Sequence, residues 1–380
     1  MKVVVIGGGV GGLACAQRLA KRADDQLRIQ LIDRSLRHDF APSFLWLMVG
    51  RRKAERLSRS LDGLGRDGVE VTEAEVEGID PKGGIVATSG GEVAFDELVL
   101  APGATLAPGA IPGLGDAAHG FYTREDATRL GDALDGFRGG RVLIVVAAMP
   151  FKCPAAPYEA AFLIDDLLAR RGVTARVDMV TAEPQPMPVA GREIGAGIAA
   201  MLEERGIGFA PNRKLESVDA GAREARFGDG SESYDLLVAV PPHRAPEFVA
   251  ASSLAGSEGW VPVDPATLRA AENVHAIGDV TAIKLANGMA LPKAGVFAHG
   301  EAEVVADNIA AGSAAAARFD GHGSCFLETG GGRAGFASGD FYADPDPTVR
   351  MRRPARRWHW GKLLFERRWL ARLPRHRRGG

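Results

Sequence analysis

Lys2-Val3-Val4-Val5-Ile6-Gly7-Gly8-Gly9-Val10-Gly11-Gly12 is the stretch whose reading decides the fold. Val3 to Ile6 is all apolar, the pattern of a strand buried on both faces of a parallel sheet. Gly7, Gly9 and Gly12 complete a GxGxxG directly after it, and the periodicity predicts a helix over Leu13 to Lys21. A second strand over Leu27 to Ile32 then ends at Asp33. Glycines there let backbone N–H groups approach a pyrophosphate at the helix N-terminus, and a carboxylate at position 33 can accept from a ribose hydroxyl. A glycine-rich turn without a ligand is the alternative. Strand, helix and acid in register favour a dinucleotide site.

Outward from this start, the pattern restarts at Tyr122 with a helix to about Phe137 and a strongly apolar strand, Val142 to Val146. Helices over Tyr158 to Arg171 and Arg192 to Arg205 and strands at Arg176 to Val180 and Leu236 to Val240 complete a second unit. A strand at Val274 to Ile277 and a helix from Val296 to Ile309 follow, then an Ala-rich linker, Ala310 to Ala317, and a hairpin from Cys325 to Phe341 turning at Gly330 to Gly332. The expected class is α/β, with two Rossmann-like domains of the FAD/NAD(P)-binding type, a C-terminal hairpin and a basic, aromatic-rich, membrane-facing segment. The expected divisions are 1–105 and 258–318 for the two parts of an FAD-binding domain, 106–257 for the second Rossmann-like domain and 319–380 for the C-terminal segment.

The choice between nicotinamide and flavin rests on later segments. Ala276-Ile277-Gly278-Asp279, followed by Pro292-Lys293-Ala294-Gly295, resembles the last FAD-binding segment of two-dinucleotide-domain flavoproteins, and Ala101-Pro102-Gly103-Ala104 resembles their ATG-type turn. The resemblance implies FAD, with Asp279 on the ribityl chain and the helix after Lys293 and Gly295 facing the flavin. A positive helix end with Lys293 nearby stabilises negative charge developing on a reduced ring.

The second unit lacks what a second dinucleotide needs. Its strand runs into Ala147-Ala148-Met149-Pro150-Phe151-Lys152-Cys153-Pro154-Ala155-Ala156-Pro157-Tyr158-Glu159, without a glycine and with prolines that remove donors. That disfavours NAD(P)H. The segment Cys153-Pro154-Ala155-Ala156-Pro157-Tyr158-Glu159 resembles the Cys-Pro-x-x-Pro-Tyr-Glu of the sulfide:quinone oxidoreductase and flavocytochrome c sulfide dehydrogenase family. The likeness extends over nearly the whole chain, through Phe40-Ala41-Pro42-Ser43, Val240-Pro241-Pro242-His243, Leu291 to Val296 and Gly323-Ser324-Cys325-Phe326-Leu327-Glu328. It implies that Cys153 and Cys325 form a redox pair beside the flavin. Sulfide would open their disulfide, and electrons would pass through FAD to a quinone. Glu159 would relay protons; a plain helix-capping or solvated role is its alternative. The resemblance leaves open an electron-transfer subunit serving a cytochrome partner, a type II NADH dehydrogenase-like enzyme and a non-catalytic FAD protein.

Cys15 reads as a packing residue of the first helix, and His299 as a packing residue with the flavin's neighbourhood as the alternative. Some relatives carry a third functional cysteine, and no candidate for it exists here. The eight histidines form no ligand-spaced cluster, so no metal is expected. With 3 Cys, 46% hydrophobic residues and 25% charged residues, the composition excludes a disulfide-built mini-protein and a disordered chain. Met1 runs straight into the first strand, which leaves no room for an export signal and leads to an expected cytoplasmic location.

Charge is unevenly spread. Twelve of the 46 Lys/Arg but only one of the 48 Asp/Glu fall in residues 350–380, within a formal net charge of −2. Trp358, Trp360, Phe365 and Trp369 interleave with these arginines, as in a segment drawn to anionic headgroups. On a helix, Trp358, Phe365, Trp369 and Leu373 share one side and Trp360, Leu363, Leu364 and Leu370 another. One side would then pack on the protein while the other enters the inner face of the membrane. Nucleic acid is not the expected partner of these arginines.

Overall fold

Two parallel sheets dominate the computed structural model, which describes residues 1–22, 26–312 and 317–373. Part of the Ala-rich linker and the end of the basic tail lie outside the described residues. In the first sheet the strands run in the order Arg269–Ala271, Val274–Ala276, Glu97–Leu100, Lys2–Ile6, Arg28–Asp33 and Val69–Glu73. All neighbours are parallel except the first two. Val3, Val4 and Val5 lose all solvent contact, so branched side chains fill both faces of this central strand. The helices Val10–Arg22 and Gly295–Ala311 pack together on one face, where Gly11 lies against Ile277 and Ala298.

The second sheet runs Gly208–Ala210, Ala175–Thr181, Gly140–Val146 and Leu236–Val240, all parallel. The helix Ala156–Arg170 lies against it. Each sheet is accompanied by a three-stranded antiparallel meander, Val76–Ala94 in the first unit and Leu215–Ser233 in the second. The two units share one layout.

Two expectations need correction. The first helix begins at Val10, three residues before the expected Leu13, so that Gly11 and Gly12 lie in its opening turn while Gly7–Gly9 precede it. The basic tail also contains a strand, ahead of the positions compared on a helix. Thr348–Ala355 forms a third strand beside the expected hairpin of His322–Glu328 and Ala334–Asp340, so Arg350, Arg352 and Arg353 lie on a sheet edge. Among the described residues of the tail, the helical part is Arg356–Leu370. Its faces also divide differently. Trp369, Leu370 and Leu373 are buried, whereas Trp360 is 66%, Leu364 48% and Phe365 43% exposed. Leu370 thus joins the inner side, and Phe365 lies half outward while still packing against Phe40, which Trp369 also covers.

Candidate active site and cofactor cleft

Two positions of the GxGxxG, Gly7 and Gly12, are built so that only glycine fits. Gly7 has φ +98°, and a Cβ on it would meet the Ala101 carbonyl oxygen at 2.3 Å. A Cβ on Gly12 would sit 1.8 Å from the Gly7 oxygen, while one on Gly9 would meet nothing within 4 Å. The turn is therefore closed toward the sheet and open on its outer side, and the first turn of the helix carries no acid to repel a phosphate. Asp33 is held ready by two amides: Gly8 N–H donates to one carboxylate oxygen at 2.6 Å and Ser35 N–H to the other at 2.9 Å. Acceptor positions remain on both oxygens for a ribose diol. These residues fit a dinucleotide.

Asp279 and Lys293 lie beyond the C-terminal end of the same sheet. Burial raises the Asp279 carboxyl above its ordinary value, against the pull of Lys152 and Lys293. The Lys293 ammonium donates to the Asp279 and Thr281 carbonyls at 2.7 and 3.0 Å and lies 3.6 Å from the Trp260 ring centroid. Burial lowers it to about 8. Glu301, from the helix that opens at Gly295, accepts from Gly278 N–H at 2.5 Å and fixes this turn. Gly103 adopts φ +73° in the turn after Ala101.

Cys153 joins the two halves. It is a non-glycine residue at φ +52°, and its N–H donates to the Lys293 carbonyl at 2.6 Å. Cys325 lies on the His322–Glu328 strand, opposite Ala337, with its Sγ donating to the Phe326 carbonyl at 3.3 Å. Among the described residues all three cysteines are free. Burial is the main cause that raises the thiols of Cys153 and Cys325, the latter to about 11. Glu159 pushes each further up and Lys362 pulls each down, and Cys325 adds to the rise of Cys153. The pair, separated by 172 positions in the chain, thus shares one electrostatic environment. Cys15 is wholly buried in the first helix and is raised to about 12 by desolvation.

Glu159 is 3% exposed and accepts from the ammonium of Lys362, itself 5% exposed. Burial lifts Glu159 to about 7 against the opposing pull of Lys362, while the negative charge of Glu328 adds to the rise. Lys362 is held above its ordinary value by Glu159 and Glu328, which outweigh its own desolvation. Glu328 in turn accepts from His359 Nδ1 at 2.8 Å, and Lys362 and Arg52 both cover the Trp46 ring, at 4.8 and 4.5 Å. Lys362, Glu328 and His359 escape sequence reasoning. A lysine in a basic tail reads as solvated charge, and nothing local marks this one as buried.

In the second unit the acid beyond the strand end is bonded within the protein. The Tyr158 hydroxyl donates at 2.5 Å to Glu183, which stands just past the end of the Ala175–Thr181 strand, as Asp33 stands at the end of its own. Thr181 donates to the same carboxylate oxygen at 3.2 Å. The connection from strand to helix runs from Ala147 to Ala155, against the three residues Gly7–Gly9 in the first unit. Counting from the strand end would have singled out Glu183 in the sequence. His299 lies against Trp369 with ring centroids 5.6 Å apart and meets Arg372 at 3.2 Å.

A family model described as Pyridine nucleotide-disulphide oxidoreductase matches residues 1–302. The sulfide-quinone reductase of Aquifex aeolicus (strain VF5) is 30% identical over 329 residues, which cover 81% of this chain and 75% of the relative. The mitochondrial sulfide:quinone oxidoreductase of Mus musculus is 27% identical over 365 residues, 90% of this chain and 79% of the mouse protein. The X-ray structure of the sulfide:quinone oxidoreductase from Aquifex aeolicus matches with a TM-score of 0.89 at 26% identity, covering 98% of this chain and 91% of that one.

Proposed function

This chain belongs to the pyridine nucleotide-disulphide oxidoreductase family and to its sulfide:quinone oxidoreductases, and on that premise we propose that it oxidises sulfide at Cys153 and Cys325 and delivers the electrons to a membrane quinone. It is an FAD flavoprotein oxidoreductase. Gly7, Gly9 and Gly12 would hold the pyrophosphate, Asp33 the adenosine ribose, Asp279 the ribityl chain, and Ala101, Gly103, Gly278, Lys293 and Gly295 the walls around the ring. Bound FAD supplies a two-electron acceptor beside the cysteines and is reoxidised by quinone.

The observation that carries the reading is geometric: the helix that opens just after Cys153 packs on the strand that bears Cys325, both cysteines join one apolar cluster, and buried Glu159, paired with Lys362, lies on the same helix. Hydrosulfide attacks one sulfur of the oxidised pair. The Cys–Cys bond breaks, a persulfide forms on one cysteine, and the other leaves as a thiolate. Loss of two electrons closes the pair through the added sulfur, and a second hydrosulfide carries that sulfur away as hydrodisulfide while the disulfide reforms. The ammonium of Lys362 favours the leaving thiolate. Glu159, lifted to about 7, holds or releases a proton near neutral pH. Quinone reduction consumes protons, and this carboxyl lies between the sulfurs and the C-terminal helix.

No helix of the described residues is long and apolar enough to cross a membrane. The outward Trp360, Leu364 and Phe365, flanked by Arg356, Arg357, Arg367 and Arg368, suit shallow insertion at the cytoplasmic face of an anionic bilayer.

An anaerobic titration tests the assignment. Sulfide is expected to bleach the blue flavin band, while Cys153→Ser and Cys325→Ser bind FAD and stay yellow. If NADH bleaches the protein and sulfide does not, the assignment fails.

A further inference from the structure

His38 is 1% exposed, and both of its ring nitrogens are bonded. The indole N–H of Trp369 donates to Nε2 at 2.8 Å, so the ring proton resides on Nδ1, which donates to the Gly8 carbonyl at 2.8 Å. Gly8 N–H donates to Asp33. An unbroken chain of three hydrogen bonds therefore runs from the C-terminal helix through the glycine turn to the acid at the end of the second strand. Two more contacts seat the same helix end: Arg59 Nε donates to the Leu370 carbonyl at 2.7 Å, and the Trp369 and Phe40 rings stack 6.1 Å apart. Lys362 and Trp369 are seven residues apart, two helical turns, and so share the inward face.

We infer that the C-terminal helix is part of the FAD-binding apparatus: Trp369, acting through His38 as a positioning residue, holds the Gly8 peptide in place. FAD affinity and the seating of Arg356–Leu370 then form one linked equilibrium. The inference rests on the proposed placement of the pyrophosphate at Gly7–Gly12. Linkage is reciprocal, so whatever loosens the helix weakens FAD, and FAD tightens the helix. A neutral imidazole suits this relay because it donates with one nitrogen and accepts with the other. His38 stays neutral because desolvation lowers it below its ordinary value.

The test uses the full-length protein. Trp369→Phe removes the N–H and keeps the ring on Phe40; His38→Phe removes both bonds. FAD binding to apoprotein is followed by flavin fluorescence, and tryptic cleavage at Arg367 and Arg368 is timed with and without FAD. A hydrogen bond of ordinary strength leads to roughly three- to tenfold weaker FAD binding in each variant. The double variant is expected to be no weaker than His38→Phe alone. FAD should slow cleavage several-fold in the unaltered protein and not in Trp369→Phe. The rise in Tm that FAD causes should shrink in Trp369→Phe, whereas a merely structural defect lowers the apo and FAD-bound Tm alike. Undiminished FAD affinity in Trp369→Phe, or cleavage indifferent to FAD, overturns the linkage. Gly12→Ala separates the two readings: if it binds FAD normally, the placement of the pyrophosphate is wrong, and if it loses FAD while Trp369→Phe does not, only the linkage falls.

Discussion

The ammonium of Lys362 rests on the carboxylate of Glu159 across 203 positions of sequence, and both are almost wholly removed from water. Such a pair is costly to desolvate and more costly to break. It joins the helix that follows Cys153 to the C-terminal helix, so the neighbourhood of Cys153 and the outward-facing tail share one ionic contact.

Lys362→Met leaves Glu159 buried without its cation. We expect a loss of about 3–5 kcal/mol of stability, the usual scale for removing one partner of a buried pair. Denaturant unfolding at neutral pH measures it, and a loss below about 1 kcal/mol, the scale of an exposed pair, would show that the contact is solvated in solution.

Glu159 makes stability depend on pH in a defined direction. Its carboxyl titrates near 7 in the folded chain against an ordinary 4.5, so between those values the folded state keeps a proton that the unfolded state has lost. The contribution is therefore fully present below about 4.5, declines as pH rises toward 7 and is flat above. Subtracting the stability profile of Glu159→Gln from that of the unaltered protein should isolate this slope; no difference in slope would remove the carboxyl from that range.

Tyr158→Phe strips one donor from buried Glu183 and is expected to cost about 1–3 kcal/mol, the scale of an unsatisfied buried acceptor. NADH should still fail to bleach the flavin, because the connection after Val146 has no glycine turn to receive a pyrophosphate. Reduction by NADH in this variant would mean that the tyrosine alone had closed the cleft.

Trp360→Glu combined with Leu364→Glu places charge on the exposed face of the C-terminal helix without touching Lys362 or Trp369. Co-sedimentation with anionic vesicles should fall at least tenfold, while anaerobic bleaching by sulfide stays as before. Unchanged sedimentation would assign membrane contact to another surface.

Cys15→Ala is expected to leave sulfide bleaching intact, since this thiol is enclosed in the first helix and pushed up to about 12. Loss of bleaching with FAD still bound would give it a part in the chemistry.

Much of this was legible because it is local. Gly7 to Gly12 with Asp33 announce a nucleotide turn within 27 residues, and the absence of glycine after Val146 is equally local. Cys153 and Cys325 stood out through the motifs around them. What remained hidden joins residues far apart: Glu159 with Lys362 and His38 with Trp369. Each member alone has an ordinary surface or packing interpretation, and only tertiary folding removes water from both. The strand edge through Val349 and Met351 went unassigned for a related reason: the arginines around it hide the alternation.

The helix Arg356–Leu370 touches His38, Phe40, Ser43, Arg52, Arg59 and Glu159, all of which precede it in the chain. A ribosome makes every one of those partners first. The two sheets can assemble as they emerge, but the Gly8 peptide and the Glu159 carboxylate wait for a segment made some two hundred residues or more later. The bracing of the glycine turn and the ionic partner of Glu159 are therefore late events in the synthesis of this chain, and a chain cut short before Lys362 would be folded over most of its length and still unfinished at both places.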